Sequence, residues 1–403
     1  MVLDSMLVLL YFIIYIFIIT YSTVYSTSSY FLTVLGLTLL SLFLISIYIK
    51  KFLISKRFLL YIFFFTIIIL TQTILSTFIY GERALFHSLM ALILLFFCFV
   101  TFAPLFNKIL FLANEKLLKK IIKTIYLVLL ILGYIAFYLQ YKGVIAGKDM
   151  LFISEPSHYA ILMIPLLIFV LLNAKYRMLY LLPFIILTLL IQNATMLVGV
   201  ILSVFLAYKI NVKLLFVAIL ILIFMYIFLP KTNFLSYFID RFTLNRESDI
   251  SKLSTLVYLS GFERAYLSLL DSRGIGLGFD RMGYVGPHGY YQNILSLLGF
   301  AKLNIYDGSA NAFKIVAELG LFGLLILLIY IYYFLKIMKK MKNRSIIPSH
   351  KILLYSYFLS YSIELFVRGF GYFSFNLPFF LASVYMIVKD FDSKKNLVIV
   401  NNE

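Results

Sequence analysis

A carboxylate and an imidazole lie three residues apart in Ser154-Glu-Pro-Ser-His158, near the middle of a 403-residue chain. Residues at that spacing share one face of a helix. Glu155 and His158 can therefore work together as a general base, or orient a hydroxyl group. The same five residues also read as a helix start, with Ser154 as N-cap, Glu155 at the positive end of the dipole and Pro156 in the first turn. That reading explains the serine and the proline but not an imidazole at a helix edge. A second set of reactive groups is the arginines Arg83, Arg241, Arg246, Arg264, Arg273, Arg281 and Arg368. The planar guanidinium matches phosphate and carboxylate oxygens two at a time. Their competing partners are Asp240, Glu247, Asp249, Glu263, Asp271 and Asp280 in the same stretch.

Other groups carry weaker signals. Gly274-Ile-Gly-Leu-Gly278 lacks the Lys-Ser/Thr of a P-loop and does not open a βαβ unit, so it reads as a flexible turn ahead of a phosphate cradle. Glu364 and Arg368 have the spacing of an intrahelical pair, as do Lys314 and Glu318 inside an apolar segment. An ionisable residue inside such a segment is a functional candidate by default. His87 and His350 read as incidental, one near a helix end and one in a basic loop. No His/Asp/Glu group has metal-ligand spacing and no Ser-His-Asp arrangement stands out, so metal-independent chemistry is the simpler expectation.

The elements that hold these groups follow from composition. Of the residues, 63% are hydrophobic and only 13% charged, against roughly a quarter charged in soluble domains. Much of the chain must have lipid as its solvent. Segments apolar enough to span a bilayer fall near 5–24, 30–49, 58–79, 85–106, 122–140, 157–173, 178–192, 195–210, 213–229, 310–335, 351–368 and 374–389. With a cytoplasmic N-terminus, every second loop is basic and 22 of the 35 Lys and Arg residues lie on the inner side. This is the positive-inside pattern, and it places both termini in the cytoplasm. The first apolar segment reads as a retained helix rather than a signal peptide. The net charge of +18 is thus a topology signal and an attraction to anionic lipid. Nucleic acid is not an expected partner, because no folded basic domain exists to bind it. There is no tryptophan, so the 32 tyrosines must do most of the interfacial anchoring. The lone Cys98 can form no intramolecular disulfide.

The expected fold class is all-α: a single transmembrane domain over residues 1–403 of about twelve helices, with a large outer loop at 230–308 between the ninth and tenth spans. Most inner basic residues are lysine, whereas most outer ones are arginine. Arginines beside an outer membrane surface suit a pyrophosphate carried on a lipid. Within the loop, Leu253–Leu270 reads as a helix, with Leu256, Leu259, Tyr266, Leu267 and Leu270 forming an apolar face for the membrane surface or the bundle.

The ordered series on the outer side resembles the motifs of O-antigen polymerases (Wzy-type) of bacterial polysaccharide loci, which are related to O-antigen ligases. Its members are Ser154-Glu-Pro-Ser-His158, Gly261-Phe-Glu-Arg264-Ala-Tyr, Gly274-Ile-Gly-Leu-Gly-Phe279, Asn311 and Glu318-Leu-Gly-Leu-Phe-Gly323. Ligases typically carry a histidine before the asparagine, where this chain has Ser309-Ala-Asn311, which favours the polymerase; His288 lies outside the match. The resemblance implies a GT-C-type membrane glycosyltransferase in the bacterial inner membrane, active at the periplasmic face. It would transfer a growing glycan from undecaprenyl pyrophosphate to a new lipid-linked repeat unit, with no cofactor. A chain-length regulator is an expected partner of such an enzyme. On this view Arg83, Arg264, Arg273, Arg281 and Arg368 hold the pyrophosphate. Glu155 and His158 activate the acceptor, and Tyr290, Tyr291 and Asn311 contact sugar. The rival readings are a lipid-linked oligosaccharide flippase and an O-antigen ligase. A flippase should place charges in the middle of several spans, and here they cluster at the outer ends.

Overall fold

Long runs of Leu, Ile, Phe and Val in hydrocarbon can satisfy their peptide groups only within each segment, and helices result. The structure, a computed structural model, describes residues 2–24, 31–48, 54, 56–144, 149–151, 153–208, 253–341 and 347–400. Among these residues every regular element is a helix. The helices are α1 (Val2–Val24), α2 (Phe31–Tyr48), α3 (Lys56–Tyr80), α4 (Leu85–Leu112), α5 (Glu115–Tyr141), α6 (Pro156–Asn173), α7 (Met178–Ile191) and α8 (Ala194–Ala207). They continue with α9 (Leu253–Asp271), α10 (Tyr290–Leu297), α11 (Asn311–Met341), α12 (Ser349–Phe366) and α13 (Leu377–Val400). Helices α1 to α8 and α11 to α13 coincide with eleven of the apolar segments read from sequence. The segment at 213–229 lies outside the described residues, as do 230–252 with Asp240, Arg241, Arg246, Glu247 and Asp249.

Among the described residues, five helices, α3, α4, α5, α6 and α11, are long and apolar enough to cross a membrane, which fits a membrane helix bundle. Helices α7 and α8 have 14 residues each, about 21 Å at the helical rise and short of the ~30 Å hydrocarbon core. They fold back on each other around Gln192, and Arg177 at the start of α7 donates to Ala207 O at the end of α8 (2.7 Å). The centre of the bundle is α6, buried from Pro156 to Leu172 and packed against α5, α7, α8 and α12. Small residues let its neighbours approach: Tyr159 lies against Gly133 of α5, and Ile164 against Gly199 of α8.

Polar groups sort to two ends of the bundle. At one, Asn114 N donates to Ser5 Oγ (3.0 Å) and Ser349 N to Glu115 Oε1 (3.1 Å). Lys351 and Lys340 there approach Asp390 at 2.7 and 3.4 Å. Lys108, Lys116, Lys119 and Lys120 flank the same α4–α5 junction, and this is the lysine-rich end. The opposite, loop end gathers the α3–α4 junction, the start of α6, all of α9, the start of α11 and the residues after α12.

Candidate functional site

The frame of the loop end is a helix break. Helix α11 is interrupted at Gly320 (φ 58°, ψ −133°), a conformation that residues with a side chain avoid. A break frees backbone groups that need partners at membrane depth. The Gly274–Gly278 turn supplies them: Leu277 N donates to Ala317 O (3.0 Å), Gly278 N to Glu318 O (2.9 Å), and Leu321 N returns to Gly274 O (2.9 Å). Gln72 of α3 reinforces the joint, donating to Ile275 O and Glu318 O at 2.6 Å each. A Cβ at Gly276 would collide with Glu318 O. The glycine-rich turn is therefore a brace, not a flexible connection, and the amides of 277 and 278 are already committed.

Just inside the break lies a chain of ionisable groups. The Glu318 carboxylate accepts from Asp280 N and Met282 N, both at 2.7 Å, and sits 3.6 Å from Lys314 Nζ, the pairing its spacing suggested. Lys314 Nζ is closer to Asp280 Oδ1, at 2.7 Å, and donates to Tyr306 O at 2.8 Å. It also lies 5.1 Å above the Tyr372 ring, which stacks on Phe279. The other Asp280 oxygen meets His87 Nε2 at 3.1 Å. Side-chain exposure rises along the series, from 0% at Glu318 through 4% at Lys314 and 11% at Asp280 to 53% at His87. Burial opposes the charge on Asp280, but Lys314 and His87 outweigh it and hold the carboxyl well below the usual range. Buried charges persist only when paired and hydrogen-bonded in this way. Asp280 thus pairs with lysine and histidine, not with an arginine. His87 is no incidental residue but the exposed end of the cluster.

A second cluster forms where α6 begins. Its N-cap is Glu155, not Ser154, and Pro156 is the first helical residue. Ser154 Oγ instead shares a hydrogen bond with His158 Nδ1 (2.9 Å). Glu155 Oε2 accepts from Arg368 Nη2 (3.1 Å) and Ser157 Oγ (2.9 Å), and lies 3.9 Å from His158 Nε2. Helix α12 stops at Phe366, so Arg368 falls beyond it. The expected helical pair with Glu364 gives way to a pair across the bundle. His158 is buried with its ring edge-on to Phe370 at 3.8 Å.

The segment Arg368–Tyr372 joins the two clusters. Gly369 N donates to Ser309 O (2.8 Å) and Phe370 N to Asn311 Oδ1 (3.2 Å). The buried Asn311 therefore anchors this segment. Asp307 and Lys314 flank Gly371. Burial raises the Asp307 carboxyl above its ordinary range, opposed by Lys314 and Arg368.

The remaining expected site residues separate into groups. Arg83 and Arg273 are exposed at the loop end, Arg273 on a left-handed residue (φ 50°) just after α9. Arg264 is buried on α9, donates to Ile305 O (2.7 Å), and leaves its Nε without a hydrogen-bond partner. Burial pushes its guanidinium down to about 10. Arg281 is fully buried and donates to Ser76 Oγ (2.8 Å), Arg83 O (3.1 Å) and Gly81 O. Its guanidinium ties the glycine turn to the α3–α4 junction, so it is a frame residue rather than an open phosphate ligand. Tyr290 is exposed on α10 and Tyr291 half-buried, with Tyr291 N donating to Glu263 Oε2 (2.8 Å). Glu263 thus serves a backbone amide instead of an arginine. Helix α9 buries Leu256 as expected, packs further through Thr255, Val257, Ser260, Gly261, Arg264, Ala265 and Ser268, and leaves Phe262, Tyr266 and Leu270 exposed. An aromatic pair the sequence did not mark, Tyr284 and Tyr306, lies beside His87.

No protein-family model, curated protein or solved structure matches this chain.

Proposed function

We propose that the protein polymerises undecaprenyl-pyrophosphate-linked oligosaccharide repeat units into O-antigen or a similar surface polysaccharide. In this reading it is a GT-C-like bundle of about twelve spans in a bacterial inner membrane, with cytoplasmic termini and the loop end facing the periplasm. The observation that carries the proposal is convergence. Segments around residues 83–87, 154–158, 261–282, 307–320 and 368–372, dispersed along the chain, meet at one end of the bundle. That end pairs exposed arginines with a relay of carboxylates, an amine and imidazoles.

Each part has a role in glycosyl transfer from a lipid pyrophosphate. Arg83 and Arg273, exposed, and Arg368, half-buried, neutralise charge on the leaving pyrophosphate, and Arg264 adds its unpartnered Nε. Arg281 holds the frame on which they sit. Glu155 and His158 position the acceptor, with Tyr290, Tyr291 and Asn311 at the margins of the same end. A chain-length regulator would meet this face. The buried ionisable residues of α11 and α12, Lys314, Glu318 and Glu364, all lie within about two turns of the loop end. This one-sided placement favours an enzyme over a flippase, which needs charge along a crossing path.

Glycan phenotype tests the proposal. A deletion strain should still cap its lipid with single repeat units while making no longer chains, and complementation should restore the ladder. Loss of all capping would point to a ligase or a flippase instead.

A further inference from the structure

We propose that His87, oriented by Asp280, accepts the proton of the attacking sugar hydroxyl; this rests on the polymerase reading and names the base within it. A base needs a free lone pair, access to the acceptor and a fixed orientation. Glu155 meets the second need, but its Oε2 already serves Arg368 and Ser157 at 3.1 and 2.9 Å, so the carboxylate is placed to hold Arg368. His158 is buried against Phe370, and its Nδ1 is already hydrogen-bonded to Ser154 Oγ (2.9 Å), which suits positioning rather than proton transfer. His87 meets all three needs. Its ring is half exposed, and Nε2 faces Asp280 Oδ2 at 3.1 Å, which leaves Nδ1 directed away from the pair. Lys314 grips the other Asp280 oxygen at 2.7 Å, so the carboxylate cannot swing away.

The surroundings suit a sugar. The Tyr284 ring lies 5.7 Å from His87, and Tyr306 lies 4.9 Å from Tyr284, giving an aromatic face next to the imidazole. Arg83 is exposed one turn before His87 in the chain. The charged and titratable groups facing the imidazole are Asp280, Lys314, Glu318 and Tyr284. As the acceptor oxygen bonds to the anomeric carbon of the donor, its proton passes to Nδ1. The bond from that carbon to the phosphate oxygen breaks, and undecaprenyl pyrophosphate leaves with the bonding pair. Asp280 stabilises the imidazolium until the proton reaches water through the exposed side of the ring.

The test is an in vitro chain-growth assay with purified full-length protein and a defined undecaprenyl-pyrophosphate repeat unit, run across pH. Wild type should slow toward acid pH as imidazole protonates. His87→Ala should lower the rate about a hundredfold or more, lose that acidic limb, and regain rate with added imidazole. Glu155→Gln should retain the acidic limb. Wild-type chain growth with His87→Ala still showing the limb, or keeping full rate, overturns the assignment and leaves the polymerase reading standing. A slow His87→Ala that imidazole does not rescue makes the residue structural and also overturns it. A wild type that builds no chains removes the polymerase reading and this role together.

Discussion

Replacing Lys314 by Met takes the cation out from between Asp280 and Glu318 and keeps most of the side-chain volume. Asp280 loses its 2.7 Å contact and Glu318 its 3.6 Å contact. Removing one partner of a buried pair costs about 3–5 kcal/mol. Glu318 keeps two backbone donors and Asp280 keeps His87, which places the expected loss near the lower bound, about 3 kcal/mol. At about 1.4 kcal/mol per factor of ten, the opening equilibrium should shift roughly a hundredfold. Cys98 provides the assay, because it is the single cysteine in the chain and is fully buried in α4. In detergent, a thiol-reactive fluorophore should label Lys314→Met about a hundredfold faster than wild type when reclosing outpaces reaction. Adding Asp280→Asn to Lys314→Met should recover much of the loss, since one uncompensated charge disappears. Wild-type labelling by Lys314→Met would refute the account of the cluster, and so would simple additivity in the double variant.

Gly320→Ala should open the bundle about tenfold or more by the same labelling, because the backbone conformation alone costs about 1–3 kcal/mol and a Cβ would overlap Gly274 O. Asp307 and Asp280 should respond to pH with opposite signs. The raised Asp307 carboxyl stabilises the fold only below the ordinary carboxyl range and loses that contribution as pH rises through its folded value. Asp307→Asn should therefore be the more heat-stable protein near neutrality, with the gain fading toward about pH 4, read by size exclusion after heating. The depressed Asp280 carboxyl contributes above the ordinary range and loses the contribution as pH falls through its folded value, so Asp280→Asn should destabilise near neutrality. Glu155→Gln and Arg368→Ala should reduce chain growth non-additively, because each removes the same 3.1 Å contact.

What was legible in the sequence followed from local physics. Apolar runs and alternating basic loops gave the helices and the sorting of the two ends, since both depend on short stretches of chain. The Lys314–Glu318 pair was legible because spacing on one helix determines it. The Glu364–Arg368 pair failed for a related reason: helical spacing applies only while the helix lasts, and α12 ends at Phe366. His87 and Asp280 carry no local signal, because tertiary packing alone brings α4 to the loop after the glycine turn. Arg281, expected among the pyrophosphate arginines, turns inward, and nothing nearby in sequence announces the carbonyls of Gly81 and Arg83 that receive it. The glycine turn read as flexible because its partner is a break in α11, which one glycine among good helix formers does not reveal.

The most direct test of the central claim uses purified protein in liposomes with a defined undecaprenyl-pyrophosphate repeat unit, following glycan length and release of the lipid pyrophosphate together. A ladder of longer chains is expected, with one lipid pyrophosphate released per repeat added and the substrate on the loop-end side. Movement of the repeat unit across the bilayer, with no chain growth and no pyrophosphate released, would contradict it.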